Sequence, residues 1–196
     1  MRHWLFKPFI FYPLLLIASA FIVLASLNPL GWPRPEHAVS GAMADGALVL
    51  QGDDLGAPAP SPEQRLYVVR DLWGHAEGLR VGVLPDQPAP TAAETGVRIM
   101  LSPEAAAFVE DKPVRVDIDY RPIPVNMATG LAVSLQGIGP ADWISQPISP
   151  ETGSVSFELP PQFAVDAIGL RALHEEEADS NFGLEIVRIR VTPTSG

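Results

Sequence analysis

Alternation of apolar and polar residues at every second position is the feature that most constrains the fold of this chain. The clearest example is "VRVDIDY" at 114–120, in which Val, Val, Ile and Tyr alternate with charged residues. "LAVSLQ" at 131–136 and "SVSFEL" at 154–159 have the same period. Successive side chains of a strand point to opposite faces, so this pattern is typical of half-buried antiparallel strands.

Further short apolar segments extend the pattern over the rest of the chain. They are "GALVLQG", "RLYVVRDLW", "GLRVGVL", "GVRIML", "AIGLRAL" and "LEIVRIRV", and stretches rich in Pro, Gly, Asp and Ser separate them. The fold class predicted from about nine such strands is all-β, a jelly-roll β-sandwich. One short helix is expected at 102–110, with Ser102 as N-cap and Pro103 at the first helical position.

The N-terminal region has a different character, because no charged residue lies between Pro8 and Pro33. The apolar run Phe9–Leu27 is close to the ~20 residues that cross a bilayer as a helix. We therefore predict one transmembrane α-helix before the sandwich.

The segment Ala18-Ser19-Ala20 leaves an alternative open, since it also fits a signal peptide cut after Ala20. We favour an anchor that is kept, because the apolar run continues to Leu27 and a signal peptide has an apolar region of only about 7–15 residues. In an anchor, the small residues Ala18, Ser19 and Ala20 are predicted to form a contact surface for another membrane helix.

Charges flanking the apolar run set the expected orientation. Arg2 and Lys7 precede it, which predicts a cytoplasmic N-terminus and an external C-terminal domain. The abundant Ala, Gly and Pro and the absence of cysteine suggest a bacterial inner-membrane protein whose domain faces the periplasm. The predicted division is a cytoplasmic tip and single transmembrane helix at 1–33, a linker at 34–45 and the β-sandwich at 46–196.

Composition and motifs exclude several classes of function. A formal net charge of −10 disfavours nucleic-acid binding. Without cysteine, neither disulfides nor thiolate chemistry is available. The sequence contains no H-x-x-x-H, G-x-S-x-G or P-loop motif, so we expect a protein that is not an enzyme.

The order of segments in the second half resembles a known family. The segments are "KPVRVDIDYRPI", "ATGLAVSLQG", "WISQPISPETGSVSFELPP", "AIGLRAL" and "NFGLEIVRIRVTP". This order, over about residues 95–193, is similar to that of the galactose-binding-like jelly rolls, which include many carbohydrate-binding modules. The resemblance implies a jelly-roll β-sandwich whose relatives bind sugars, proteins or lipids.

The same resemblance implies a structural calcium site where the first and last strands meet, and no other cofactor. The matching positions are Asp53, Asp54 and Glu185. Glu185 shares its alternation phase with the apolar Val187 and Ile189, and a carboxylate on a core-facing phase needs a partner such as Ca²⁺. The alternative is that Glu185 lies at the sandwich edge or before a bulge, in water or paired with an arginine.

Two tryptophans are the candidate ligand-binding residues. Trp73 lies in the turn-like "DLWGHAEG" and Trp143 in "GPADWIS", and either ring is a candidate stacking platform for a sugar. The alternative is that each packs in the core or at its rim.

These observations give two main hypotheses of function, and a hydrolase with an unrecognised site is a third alternative. The first is a non-catalytic, single-pass accessory or assembly subunit, embedded in the lipid bilayer, whose periplasmic sandwich binds protein partners of an inner-membrane complex. The second is a membrane-tethered carbohydrate-binding module that acts on a periplasmic or envelope polysaccharide.

Overall fold

The computed structural model describes residues 8–27, 36–84, 93–174 and 182–194, without the side chains of residues 24–27 and 182. The chain divides into two compact units, Met1–Trp32 and Pro33–Gly196.

The first unit contains one helix, α1, at Pro8–Leu27, with Pro13 inside it. Most of its described large apolar side chains are exposed, Phe9 and Phe21 among them. Within the described part of the chain, no helix combines the length and the hydropathy needed to span a membrane, so the predicted transmembrane helix is not supported. The predicted contact residues Ala18, Ser19 and Ala20 lie exposed on α1, and their role as a contact surface stays a prediction.

The second unit is built from eleven strands and one short helix within the described residues. The strands are β1 (Ala42–Ala44), β2 (Ala47–Gln51), β3 (Gln64–Arg70), β4 (Ala76–Val83), β5 (Val97–Met100), β6 (Val114–Pro122), β7 (Gly130–Gln136), β8 (Ile144–Pro147), β9 (Gly153–Leu159), β10 (Ala167–Leu173) and β11 (Phe182–Pro193). The helix α2 spans Pro103–Val109.

These strands form two antiparallel sheets. The seven-stranded sheet is centred on β11, which pairs with β2 and β4 along one edge and with β6 along the other. β1, β3 and β9 extend it outside β2, β4 and β6. The four-stranded sheet has the order β5-β10-β7-β8.

Apolar side chains from both sheets form one core. On β6 the apolar set at 114, 116, 118 and 120 is buried, as the alternation predicts. Leu79 of β4, Val133 of β7 and Leu170 of β10 belong to the same cluster. The predicted start of α2 is also confirmed, since Ala105 N donates to Ser102 Oγ at 3.3 Å.

Two short strands and part of the linker differ from the predictions. The nine predicted strands are present, but β1 and β8 were missed, because each is too short to show alternation. The range 34–45 was predicted to be linker, yet Val39 is 4% exposed and its N–H donates to Met100 O at 2.8 Å. The sandwich therefore begins inside the predicted linker, whose first residues, 34 and 35, lie outside the described part.

Candidate functional site: the Trp73 turn

The connection between β3 and β4 presents two apolar side chains to solvent. We call the segment Asp71–His75 the Trp73 turn. Within it, Leu72 is 92% exposed and Trp73 is 86% exposed. An adjacent exposed pair of large apolar side chains makes this turn a candidate contact surface for another molecule.

Asp71 fixes the backbone of this turn. Its Oδ1 accepts from Trp73 N and from His75 N, both at 2.8 Å. Asp71 N donates to His75 O at 2.9 Å, and Gly74 N donates to Asp71 O at 3.1 Å. Aspartate favours such turns because its short side chain bonds to backbone groups two residues on.

Arg70 holds the same turn from the end of β3. Its guanidinium donates to Gly74 O at 3.1 Å and to Gly56 O at 2.7 Å. Gly74 has φ +88, a conformation that L residues with side chains adopt only with strain. The arginine thereby ties the turn to the segment that follows β2.

Asp53 makes the third attachment, from the 3₁₀ turn Gly52–Leu55. Its Oδ1 accepts from Ala76 N at 2.9 Å, and its Oδ2 lies 2.9 Å from His75 Nδ1. The side chains of His75 and Asp53 are 70% and 54% exposed. Groups that can donate and accept hydrogen bonds therefore lie in the same turn as the exposed indole, at His75, and in the 3₁₀ turn bonded to it, at Asp53.

The Trp73 turn thus combines a fixed backbone with an exposed aromatic ring. Its conformation is held by bonds made before any ligand arrives, so little backbone entropy is lost on binding. An indole supplies a large apolar face at the cost of ordering two side-chain torsions. The arrangement can bind a planar or apolar surface that also carries hydroxyl groups.

Trp143, the second candidate, occupies a different environment. It is half-buried, and its Nε1 donates to Glu94 O at 3.2 Å. A Cβ on Gly96 would lie 2.8 Å from the Trp143 ring, so the ring packs against this glycine. These contacts match the rim position that was the alternative prediction for Trp143.

The three carboxylates predicted to bind calcium have other partners. Asp53 is bonded to His75 and to Ala76 N, and Asp54 Oδ2 accepts from Gln51 N at 3.4 Å. Glu185 lies between two arginines: its Oε2 is 2.9 Å from Arg80 Nε, and its Oε1 is 3.4 Å from Arg121 Nη1. In the part of the chain that is described, these carboxylates do not form a group that could hold a metal ion.

A bulge explains why the alternation misplaces Glu185. The pairing of β11 with β6 shifts register between Ile186 and Arg188. Leu184 and Ile186 on one side of the bulge, and Ile189 on the other, are all fully buried. The bulge moves Glu185 to the outer face of the sheet, where the two arginines partner it, as the alternative interpretation expected.

Sequence reasoning missed Arg70, Asp71 and His75. Aspartate before a Gly-containing turn was the available signal in "DLWGHAEG" for Asp71. Nothing in the sequence indicated that Arg70 reaches Gly56 or that His75 reaches Asp53, because both contacts depend on where β2 ends relative to β4.

A second polar cluster lies on the outer face of the four-stranded sheet. Arg171 of β10 is fully buried and forms an ion pair with Glu94. Gln136 of β7 donates from Nε2 to Thr95 O at 2.6 Å and to Ser134 Oγ at 3.2 Å. Burial lowers the pKa of Arg171, and the charge of Glu63 opposes that shift. The cluster is covered by protein, so we assign it to the fold and not to the exposed site.

Comparison with known proteins gives structural similarities alone. No protein-family model and no curated protein sequence matches the chain. Among solved structures, BiXyn10A CBM1 in its apo form aligns with a TM-score of 0.45 and 10% identity, over 74% of this chain and 99% of that one. The CBM22-1 xylan-binding domain of Paenibacillus barcinonensis Xyn10C aligns with a TM-score of 0.46 and 8% identity, over 79% of this chain and 99% of that one.

A third similar structure contains a catalytic module as well. It is the CBM22-1–GH10 portion of the Clostridium thermocellum xylanase 10B, complexed with xylohexaose. The TM-score is 0.44 and the identity 12%, over 75% of this chain and 27% of that one. These structural neighbours are carbohydrate-binding modules.

Proposed function

We propose that the β-sandwich is a non-catalytic domain that binds a glycan through Trp73. The observation that carries the proposal is the 86% exposed indole on a turn whose backbone is held by Asp71, Arg70 and Asp53. The axial C–H groups of a pyranose form an apolar face that packs on an indole ring. The sugar hydroxyls at the edge of that face need polar partners, which His75 and Asp53 supply.

The test is binding of the full chain to soluble neutral polysaccharides, measured by affinity electrophoresis and titration calorimetry. Xylan, mannan and mixed-linkage β-glucan are suitable probes, since they present different pyranose faces. We expect at least one of them to bind, and Trp73→Ala to weaken that binding at least about tenfold, equivalent to about 1.4 kcal/mol.

Phe163→Ala is the matched control, because Phe163 is another aromatic side chain exposed to a similar degree, at 73%. It should leave the affinity unchanged. Absence of binding to every glycan, or equal affinity of Trp73→Ala and the parent chain, would contradict the proposal. Circular dichroism of both variants checks that the fold is retained.

The second candidate is docking of a protein partner on the same turn, as in the accessory-subunit hypothesis. Leu72, 92% exposed beside Trp73, favours it, because a sugar needs one ring and not an aliphatic neighbour. Leu72→Ala separates the two candidates. Loss of a co-purifying membrane-protein partner in Leu72→Ala, with glycan binding unchanged or absent, supports docking.

We also propose, from the sequence, that this domain acts on the periplasmic side of a bacterial inner membrane. The support is the uncharged stretch between Pro8 and Pro33 with Arg2 and Lys7 before it. Membrane fractionation with alkaline washing, followed by protease digestion of spheroplasts, tests the location. Recovery of the chain in the soluble fraction, or protection of the domain from protease in spheroplasts, would refute it.

A further inference from the structure

The outer face of the seven-stranded sheet carries a set of arginines that the Trp73 turn does not use. We call it the arginine face. Its members are Arg65 on β3, Arg80 on β4, Arg115 and Arg121 on β6, and Arg188 and Arg190 on β11. They are six of the thirteen basic residues of a chain with a net charge of −10. The same face carries four carboxylates, those of Asp117, Asp119, Glu158 and Glu185, so the arginines leave it with a small excess of basic charge on an acidic protein.

One row of this face crosses four neighbouring strands. Tyr67, Arg80, Glu185 and Arg121 lie opposite one another in the ladders β3–β4–β11–β6. The Arg80 guanidinium lies 6.0 Å from the centre of the Tyr67 ring, and Glu185 binds both arginines. The side chain of Glu185 is 8% exposed, whereas those of Arg80 and Arg121 are 46% and 54% exposed. Glu185 fixes the two guanidinium groups and leaves them open to solvent.

A second set of cross-strand pairs continues the face along β11 and β6. Arg188 Nη2 forms an ion pair with Asp119 Oδ2 at 2.5 Å, and Arg190 lies opposite Asp117 in the β11–β6 ladder. Asp117 also accepts from Arg115 Nε at 2.9 Å, and this hydrogen bond raises the pKa of Arg115. Four of the six guanidinium groups, those of Arg80, Arg115, Arg121 and Arg188, are thus each held by a carboxylate.

The arginine face has unused binding capacity. Among the described residues, neither Arg65 nor Arg190 has a carboxylate within 4.0 Å. A guanidinium has five N–H donors in a planar fork that matches a carboxylate, and Arg80 and Arg121 each donate one of theirs to Glu185. An incoming carboxylate finds donors free on several neighbouring side chains.

Glycines flank Arg80 on β4. Gly78 and Gly82 occupy the outer-face positions of β4 on either side of Arg80, opposite Val69 and Arg65 of β3. Gly78 is buried against the side chain of Glu185, whereas Gly82 is partly exposed, so a ligand can approach the sheet closely at Gly82. Tyr67, 39% exposed, adds a ring at the edge of this strip. The strip belongs to the same β3–β4 hairpin that carries the Trp73 turn.

We propose that the arginine face binds the carboxylates of an acidic polysaccharide, a chain containing uronic acid residues. The proposal rests on the proposed function, because it assigns the class of glycan that the Trp73 domain binds. Exposed guanidinium forks select ionised carboxylates, and Tyr67 and Trp73 on one hairpin supply rings that a flexible acidic peptide does not require.

The experiment compares two forms of one polymer. Polygalacturonate carries one carboxylate per sugar, and its fully methyl-esterified form has the same backbone without charge. Binding of the full chain to each is measured by titration calorimetry at low and high NaCl concentration. Poly-L-glutamate serves as the acidic polymer without sugar rings.

We expect the full chain to bind polygalacturonate and to lose at least tenfold in affinity when salt is raised, since exposed charge pairs are screened. Arg65→Ala/Arg190→Ala should reduce the affinity for polygalacturonate at least tenfold and have no effect on the esterified polymer. Lys112→Ala is the matched control, because Lys112 is an exposed basic side chain that follows α2 and lies outside the arginine face. Equal binding of both polymer forms, equal binding of polyglutamate, or no effect of the double variant would overturn the proposal.

The outcomes also separate this proposal from the proposed function. Trp73-dependent binding of neutral glycans with no binding of polygalacturonate refutes the arginine face alone. Binding of polygalacturonate that needs Arg65 and Arg190 but is unchanged in Trp73→Ala supports the arginine face and refutes Trp73 as the glycan platform. Absence of binding to any glycan refutes both.

Discussion

The two outer faces of the sandwich use arginine in opposite ways. On the four-stranded sheet, Arg171 is fully buried and pairs with Glu94. On the seven-stranded sheet, the guanidinium groups of the arginine face lie at the surface, and the carboxylate Glu185 is the buried member of the pair. In the first case the cation is covered, and in the second the anion is covered and the cations remain available.

The difference arises from what covers each sheet. The segment before β5 lies over the four-stranded sheet, where Thr95 O accepts from Gln136 and Glu94 O accepts from Trp143. Over the arginine face, the described residues show no such segment, and four of its side chains are 46–54% exposed. Cover by a neighbouring segment therefore decides whether an arginine stabilises the fold or is available to a ligand.

Arg171→Ala tests this comparison with the largest expected effect. Removing the buried cation leaves Glu94 without its partner, and breaking a buried pair in this way costs about 3–5 kcal/mol of the free energy of unfolding. Urea denaturation followed by circular dichroism measures it. Arg65→Ala, on the exposed face, should change stability by no more than about 0.5 kcal/mol. Similar losses in the two variants would show that cover does not distinguish the faces.

The two tryptophans give the second test. Trp143→Ala removes a half-buried ring packed on Gly96 and the hydrogen bond to Glu94, so we expect a loss of about 2 kcal/mol in the free energy of unfolding. Trp73→Ala should leave stability nearly unchanged while weakening glycan binding. The same denaturation experiment applies to both. A stability loss in Trp73→Ala as large as in Trp143→Ala would mean that the Trp73 ring is part of the packing.

Exchanging a glutamate for glutamine on each face is the finest comparison. Glu185→Gln removes the covered anion and leaves Arg80 and Arg121 in water, so the expected loss is about 1 kcal/mol. Glu94→Gln removes the carboxylate that pairs with the buried cation of Arg171, and its cost should be clearly greater. Denaturation in parallel gives the difference. A larger loss in the free energy of unfolding for Glu185→Gln than for Glu94→Gln would contradict the assignment of Arg171 as the covered cation that depends on its carboxylate.

Much of the fold could be predicted from local pattern. The alternation correctly predicted which face of β6 is buried, because no bulge interrupts the four apolar positions of that strand. The start of α2 followed from Ser102 and Pro103, whose capping needs only neighbours three residues away. Trp73 was identified as a candidate for display because "DLWGHAEG" has turn residues on both sides of the ring.

Other features could not be predicted because they depend on distant segments. Alternation assigned Glu185 to the apolar phase, and the bulge in β11, which reversed it, arises in the pairing with β6. β7 was expected to bury one face, yet Ser134 and Gln136 on its other face are also buried, by the segment that contains Thr95. The two candidate tryptophans were equivalent in sequence, and contact with Gly96 and Glu94 separated them.

The sequence by itself determined the all-β class, the nine longer strands, the capped helix and the acidic charge, because these depend on composition and on neighbours a few residues apart. The tertiary structure decided that Trp73 is exposed and Trp143 packed, that Glu185 faces outward between two arginines, and that Arg171 is covered. The physical reason is that burial and ion pairing depend on segments far apart in the chain, such as Glu94 and Arg171 or Asp53 and His75, which only the folded sandwich brings together.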